Sequence, residues 1–94
     1  MHYCYILYSK QIDRFYIGQT VDVESRLIEH KSKTYSQAYT AITNDWELYL
    51  VIKCENKTQA IKVERFIKKM KSKSFIISLK QREEKIEDIL KKCL

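Results

Sequence analysis

The order of polar and apolar positions predicts a pair of strands at the start of the chain. Aromatic and β-branched residues dominate residues 3–8 and 14–18, and a short polar turn separates the two segments. This composition and this gap are typical of an antiparallel hairpin. Side chains alternate along a strand, so Tyr5 lies on one face of the first strand, and Tyr16 and Gly18 share a face of the second. Gly18 is the only glycine, and a glycine in a strand often marks a close approach of neighbouring groups.

After residue 22, the spacing of the apolar residues changes to that of a helix. Asp22 has the residue type of an N-cap, and a helix is predicted over residues 23–31. At 100° per residue, Leu27 and His30 lie within one arc of this helix, and Arg26 lies at its margin. Arg26 and His30 are four residues apart, which is the spacing that stacks two side chains on one helical face.

A loop and a third strand are predicted next. Residues 32–44 show no clean period, which favours a loop. Residues 46–53 alternate more clearly than any other segment and predict a strand. The alternation places four apolar side chains on one face of this strand: Trp46, Leu48, Leu50 and Ile52.

The longest helical pattern begins near Asn56 or Thr58, either of which suits an N-cap, and extends to about Lys71. Its apolar residues form a stripe that predicts packing against a sheet: Ala60, Ile61, Val63, Phe66, Ile67 and Met70. Glu64 interrupts this stripe. Because burying a bare carboxylate costs several kcal/mol, Glu64 must be paired, bound to a metal or held at a cleft.

Apolar residues recur over residues 75–79 and 86–90 and predict one or two short C-terminal helices. The resulting order is β-β-α-β-α-α. It predicts an α+β fold in which a three-stranded, mostly antiparallel sheet is flanked by helices. Ninety-four residues without proline or a low-complexity linker predict a single domain over residues 1–94.

Composition narrows the class of protein. A hydrophobic fraction of 45% and a charged fraction of 32% are typical of a globular chain. No apolar run approaches the ~18 residues of a membrane span, and no leader pattern opens the chain, so we expect a cytoplasmic protein that does not bind membranes. Cys4, Cys54 and Cys93 form no CxxC or Cys/His cluster, which predicts buried free thiols rather than a zinc site.

The net charge of +6 is concentrated in one segment. Residues 57–82 hold nine Lys or Arg side chains and one acid, Glu64, whereas the rest of the chain is close to balanced. Such a segment is typical of a surface that binds nucleic acid, although a solvated lysine-rich helix face carries the same charge. Nucleic-acid contacts are predicted from seven of these cations: Lys57, Lys62, Arg65, Lys68, Lys69, Lys71 and Lys73.

Five side chains combine the functional groups that phosphodiester hydrolysis requires: Tyr5, Tyr16, Arg26, His30 and Glu64. A carboxylate can hold Mg²⁺ or Mn²⁺ against a phosphate oxygen, a guanidinium stabilises charge on phosphoryl oxygens, and a phenol or imidazole can accept a proton from water. Taken singly, each also has an ordinary structural interpretation, as a core aromatic, a helix-surface ion pair or a helix-terminal cation. Together they are expected to project toward one wall of the sheet.

Two of these segments resemble the motifs of a known family. The sequence CYILYS over residues 4–9 and the sequence FYIGQT over residues 15–20, followed by Arg26 and His30, closely resemble the GIY-YIG nuclease domain. The resemblance covers about residues 3–80. It is to small stand-alone bacterial members, with similarity to the nuclease domain of Slx1-type structure-specific endonucleases.

The resemblance implies a role for each of the five residues. Tyr5 and Tyr16 would be the two motif tyrosines, which orient or deprotonate the attacking water. Arg26 would stabilise the transition state, and His30 would assist proton transfer or phosphate positioning. Glu64 would hold a single divalent metal ion, Mg²⁺ or Mn²⁺.

Some positions depart from the family's pattern. Tyr3 and Cys4 stand in place of the first motif's glycine and isoleucine, and residues 73–79 contain no counterpart of the asparagine that some homing endonucleases carry. Gly18 matches the second motif and would let the backbone pass close beside the site. A tyrosine with an ordinary pKa near ~10 is a poor base at neutral pH, which keeps His30 as a rival base.

These implications predict a divalent-metal-dependent endonuclease that hydrolyses DNA phosphodiester bonds in DNA repair or recombination. We expect structure-dependent cutting or reliance on a protein partner rather than sequence-specific recognition. The alternative is a weakly active or non-catalytic nucleic-acid-binding module on the same fold. A basic scaffold for an acidic protein would leave Tyr16, Arg26 and Glu64 unexplained. Substrate preference, protein partner and oligomeric state stay open.

Overall fold

The computed structural model describes residues 1–31, 43 and 45–94. Seven elements follow one another: β1 (His2–Ser9), β2 (Arg14–Thr20), α1 (Val23–Lys31), β3 (Glu47–Cys54), α2 (Lys57–Met70), α3 (Lys73–Gln81) and α4 (Glu83–Lys92). The α+β fold predicted from the sequence is confirmed, and the C-terminal residues form two helices after α2. Apart from Thr43, the loop predicted over residues 32–44 lies almost wholly outside the described residues.

The strands form one antiparallel sheet in the order β2-β1-β3. The predicted hairpin of β1 and β2 is confirmed, and Asp13 in its turn has a φ of 50°. Because β1 is central, β2 is an edge strand. Side chains from both layers of helices can therefore approach its outer edge.

A β-bulge interrupts the pairing of β1 with β3. Ile6 pairs with Leu50, whereas the next residue, Leu7, pairs with Leu48. Tyr49 is therefore an extra residue on β3, and the two ends of this strand alternate out of step.

The bulge overturns one prediction, that four apolar side chains from Trp46 to Ile52 share one face. Trp46 packs with Tyr5 and Leu7 on one side of the sheet. Ile52 packs on the other side, in the cluster that contains Cys4. A pattern that assumes unbroken alternation cannot reveal an extra residue, because the bulge depends on how β3 pairs with β1.

Each face of the sheet carries its own core. The larger core joins the sheet to α2, α3 and α4, and its buried members are Cys4, Ile6, Ile17, Ile52, Cys54, Ala60, Val63, Ile67, Ile76, Leu79, Ile89 and Cys93. The smaller core lies under α1 and consists of Tyr5, Leu7 and Trp46, with Ile12, Tyr16, Val23 and Leu27 packed against it. The three cysteines are free and buried, as predicted.

Side chains at the helix ends set where the helices begin. The Asp22 carboxylate accepts a hydrogen bond from Ser25 N at 3.1 Å and caps α1, as predicted. The Asn56 side chain accepts from Gln59 N at 2.8 Å, so Asn56 is the N-cap of α2. Lys71 ends α2 in a left-handed conformation with a φ of 48°. No helix among the described residues is long and apolar enough to cross a membrane.

Candidate active site

Tyr5 and Gly18 face each other across β1 and β2. A Cβ atom on Gly18 would lie 2.6 Å from the Tyr5 hydroxyl oxygen and 2.7 Å from its Cζ, which is closer than van der Waals contact allows. The Tyr5 ring therefore lies directly across Gly18. This contact explains why a glycine occupies this position in a strand of otherwise larger residues.

The Tyr5 side chain extends over Gly18 to α1, where its hydroxyl lies 3.0 Å from His30 Nε2. Tyr5 is 2% exposed and His30 is 0% exposed. The Tyr16 ring lies beside both, with centroid distances of 4.9 Å to His30 and 6.2 Å to Tyr5. The structure thus brings together three of the five residues proposed from the sequence, and Tyr16 is the one that is only partly buried.

Burial lowers the pKa of His30 below its ordinary value, the nearby Arg26 guanidinium lowers it further, and Glu29 partly offsets these effects. The imidazole is therefore neutral at pH 7. A neutral imidazole with its proton on Nδ1 accepts a hydrogen bond at Nε2 from the Tyr5 hydroxyl. The pair satisfies two polar groups that would otherwise be costly to bury.

Arg26 lies one helical turn before His30 on α1, and its side chain is 29% exposed. Its Nε is 3.7 Å from a carboxylate oxygen of Glu29, whose side chain is 44% exposed. Ion pairs exposed to this degree contribute little free energy. A phosphate oxygen can therefore compete with Glu29 for the guanidinium.

Glu64 lies on α2, which covers the sheet face opposite α1. Its carboxylate accepts a hydrogen bond from Lys68 Nζ at 2.6 Å, and its side chain is 19% exposed. Of the three environments that the sequence allows for this carboxylate, pairing is the one seen here. Tyr5 and Tyr16 belong to the core on the α1 face, so the expectation that all five side chains project toward one wall of the sheet is not met.

The two layers approach each other at the edge strand β2. Lys68, the partner of Glu64, lines a groove together with Ile17 of β2. Tyr16 is the neighbour of Ile17 and points to the opposite face. The Glu64 carboxylate also contributes to raising the pKa of Cys4 on β1, although burial is the main cause. The tyrosine–histidine cluster and the carboxylate therefore flank the same strand from opposite sides.

Glu64 is the carboxylate proposed from the sequence to bind a divalent cation. The described residues contain no group of three or more His, Cys, Asp or Glu side chains arranged to hold a metal. Mg²⁺ commonly binds through one or two carboxylates and completes its shell with waters and substrate phosphates. Glu64 is partly exposed and fits such a site, in competition with Lys68.

The seven cations predicted to bind nucleic acid are all exposed, but they do not share one surface. Lys68, Lys71 and Lys73 line the groove along β2, which has a volume of about 300 Å³. Lys62 instead donates a hydrogen bond to the backbone oxygen of Leu94 at 3.1 Å. Only part of the basic segment therefore lines the groove.

Arg14 is a further cation in this groove, and the sequence prediction missed it. It begins β2 and is distant in the sequence from residues 57–82, where the positive charge is concentrated. Its place among the basic side chains depends on the packing of α2 and α3 against β2. Charge counting along the chain carries no signal of that packing.

The fold is a small α+β domain built on a hairpin, with one motif tyrosine on each strand. These features are those of a GIY-YIG-type domain. The sequence matches the family of the GIY-YIG catalytic domain over residues 1–85. This match spans most of the chain, which therefore belongs to the GIY-YIG family. Members of the family generally hydrolyse DNA and depend on divalent metals. No curated protein and no solved structure gives a significant match to the chain.

Proposed function

We propose that this chain is a divalent-metal-dependent endonuclease that hydrolyses DNA phosphodiester bonds, with residues 1–94 acting as one nuclease domain. The observation that carries the proposal is the cluster of Tyr5, Tyr16 and His30 across Gly18 in a member of this family. We further propose that it acts on branched or nicked DNA in repair or recombination, in the manner of Slx1-type enzymes. Its three buried free thiols support a reducing, cytoplasmic location.

Tyr16 is the residue best placed to contact the attacking water. Tyr5 and His30 are buried and bonded to each other, whereas the Tyr16 side chain is partly exposed. We therefore assign Tyr16 to orienting the water, and in its phenolate form Tyr16 would also receive the proton of that water. Tyr5 and neutral His30 act as positioning residues that hold the Tyr16 ring from behind.

Arg26 and Glu64 supply the charged groups of the proposed mechanism. The Arg26 guanidinium would leave its exposed pair with Glu29 and stabilise the negative charge that develops on the phosphoryl oxygens. Glu64 would hold one Mg²⁺ or Mn²⁺ ion, which provides Lewis-acid stabilisation of a phosphate oxygen when bound. In the structure, this carboxylate is paired with Lys68.

Backbone phosphates would be held by the basic side chains. Arg14 is one proposed contact. The others are the seven cations of the basic segment: Lys57, Lys62, Arg65, Lys68, Lys69, Lys71 and Lys73. Contacts of this kind position DNA without reading its sequence. They fit a nuclease that selects DNA by its structure.

Cleavage of defined DNA substrates tests the proposal. Purified protein is incubated with branched, nicked and linear DNA in Mg²⁺ or Mn²⁺, beside Arg26→Ala, Glu64→Ala and a control, Lys91→Gln on α4. We expect metal-dependent cutting by the native protein and by Lys91→Gln, and a rate loss of about 10²-fold or more for each of the other variants. EDTA should abolish cutting.

A second candidate function is nucleic-acid binding without catalysis, and the Glu64–Lys68 pair favours it because the carboxylate is already occupied. In that case the native protein and both variants would bind the DNA substrates equally, and none would cut any of them in either metal. That result would overturn the endonuclease proposal.

A further inference from the structure

We propose that a pocket on the opposite side of β2 from the tyrosine–histidine cluster binds an unpaired base of single-stranded DNA. Tyr8, Phe15 and Tyr49 form the pocket, which has a volume of about 240 Å³. Lys73 and Ile77 of α3 complete its lining together with Asp13. The inference rests on the proposed function only in taking DNA as the ligand. It adds that the DNA has an unpaired nucleotide.

The three aromatic rings adjoin one another, with Tyr8 tilted against Phe15 and Tyr49 edge-on to it. The Phe15 centroid lies 4.8 Å from that of Tyr8 and 5.0 Å from that of Tyr49. Each ring is partly exposed, and Tyr49 is brought here as the extra residue of the β-bulge. Every nucleobase has a π-face, so one exposed ring face of this cluster can stack any base without reading its identity, while the neighbouring rings contact its edge.

Charged side chains line the rim of the pocket. The Tyr8 hydroxyl donates to one oxygen of Asp13 at 2.6 Å, and Lys73 Nζ donates to the other at 2.8 Å. Lys80 Nζ lies 4.3 Å from the centroid of the Tyr49 ring. Asp13 thereby contacts both an aromatic ring and a rim cation, and its own charge is offset by Lys73.

The pocket is continuous with the basic groove, because Phe15 and Lys73 line both. Arg14, Lys68 and Lys71 complete the cations of the groove. Among the described residues, Arg14 and Lys71 have no carboxylate within ion-pair distance. Phosphates in the groove would place the adjoining base at the aromatic pocket.

A stacking surface beside a cationic groove is the arrangement by which proteins bind single strands. Bases in an intact duplex are stacked on each other and paired, so they cannot enter a pocket without leaving the helix. The geometry therefore favours DNA with an unpaired nucleotide, such as a flap, a branch point or a single-stranded end.

Binding in EDTA tests the inference apart from catalysis. Fluorescence anisotropy is measured with a labelled thymidine oligonucleotide and with a duplex of equal length. Tyr8→Leu and Tyr49→Leu remove rings, Tyr49→Phe keeps one, and Tyr3→Leu removes an aromatic ring from the other sheet face. We expect the two ring-removing variants to lose about 10-fold in single-strand affinity, with duplex affinity unchanged. Tyr49→Phe and Tyr3→Leu should match the native protein.

Photocross-linking of the native protein keeps the inference testable even where a variant fails to fold. A single strand that carries 5-iododeoxyuridine should cross-link to peptides containing Tyr8, Phe15 or Tyr49. Cross-links confined to other regions would overturn the proposal, and so would an equal loss of single-strand and duplex affinity in folded ring variants. An acidic peptide that competes as well as the oligonucleotide would also overturn it.

The two proposals can fail separately. If the stacking results hold while no substrate is cut, the endonuclease proposal fails and the pocket stands as a single-strand site. If DNA is cut in a metal-dependent manner while ring removal leaves single-strand affinity unchanged, the pocket proposal alone fails.

Discussion

Gly18 determines where the Tyr5 ring can lie, and through that ring it determines the contact with His30. The close approach of a Gly18 Cβ to three atoms of the ring would force the phenol away from α1. The ring is buried against the small core and bonded to His30, so it has little room to move. A single missing side chain on β2 thus fixes an interaction between β1 and α1.

Gly18→Ala should lower the free energy of unfolding by about 1–3 kcal/mol, because overpacking displaces a buried ring. Urea denaturation followed by circular dichroism measures the change. In a Tyr5→Leu background the ring is absent, and the same substitution should cost clearly less. Equal costs in the two backgrounds would mean that the clash with Tyr5 is not the cause.

His30 should make stability depend on pH just below neutrality. Its pKa is lowered in the folded protein, so the unfolded chain binds a proton first as the pH falls through the ordinary value of ~6.5. Stability is complete above that value, declines as the pH decreases, and stops declining below the folded pKa. The thermal midpoint should therefore decrease as the pH is lowered from about 7.5 to about 5.5.

One variant tests whether His30 causes this effect. His30→Gln should have a lower thermal midpoint that is nearly constant across the same pH range. The carboxylates with lowered pKa values, Asp13, Asp22 and Asp45, titrate well below this range. A slope that survives in His30→Gln would contradict the assignment.

At the residue scale, the sequence predicts that certain side chains lie together, but it does not predict the partner of each one. Residue spacing and family resemblance together identify Tyr5, Tyr16 and His30, and the structure brings these together. The partner of Glu64 could not be chosen from the sequence, because a lysine four residues on competes with a metal for the same carboxylate. Arg14 was missed because its neighbours come from elements far along the chain.

The elements themselves follow local rules closely, and the start of α2 gives a sharp test. Asn56 and Thr58 are equally suitable N-caps by residue type, but only the Asn56 side chain accepts the hydrogen bond from Gln59 N. Asn56→Ala should therefore destabilise the protein by about 1 kcal/mol, whereas Thr58→Ala should cost much less. Chemical denaturation of the two variants measures the difference. A larger loss for Thr58→Ala would contradict this cap assignment.

The bulge in β3 marks the limit of prediction at the element scale. The alternation from Trp46 to Ile52 identifies a strand correctly, yet it assigns Trp46 and Ile52 to one face and the structure separates them. Periodicity records the local preference of one strand, whereas a bulge arises from its pairing with another. The same bulge places Tyr49 beside Phe15, so the aromatic pocket could not be predicted either.

In the whole molecule, the tyrosine–histidine cluster and Glu64 lie on opposite faces of the sheet beside its edge strand β2. Element order and apolar stripes are enough to predict a sheet flanked by helices from the sequence. The sequence does not predict which helix covers which face of the sheet, because short connections allow both arrangements. That choice decides that Glu64 and the tyrosine–histidine cluster flank β2 from opposite sides.

If DNA lies along this edge, its binding should weaken steeply with salt. Arg14→Gln and Lys71→Gln should each reduce the slope of log K against log salt by about one, because each removes one phosphate contact. Lys91→Gln on α4 should leave the slope unchanged. Anisotropy titrations of labelled DNA at several salt concentrations measure it. A slope that is the same in all four proteins would place the DNA elsewhere.

Under the proposed function, Glu64 binds the catalytic metal and releases Lys68. The most direct test is a titration of the cleavage rate with Mn²⁺ at saturating DNA, for the native protein, Glu64→Gln and Lys68→Gln. We predict that Lys68→Gln cuts and reaches its maximal rate at a lower metal concentration than the native protein, because its carboxylate has no competing ammonium. Glu64→Gln should stay inactive at every concentration. Metal-dependent cutting by Glu64→Gln at the native rate would contradict the account.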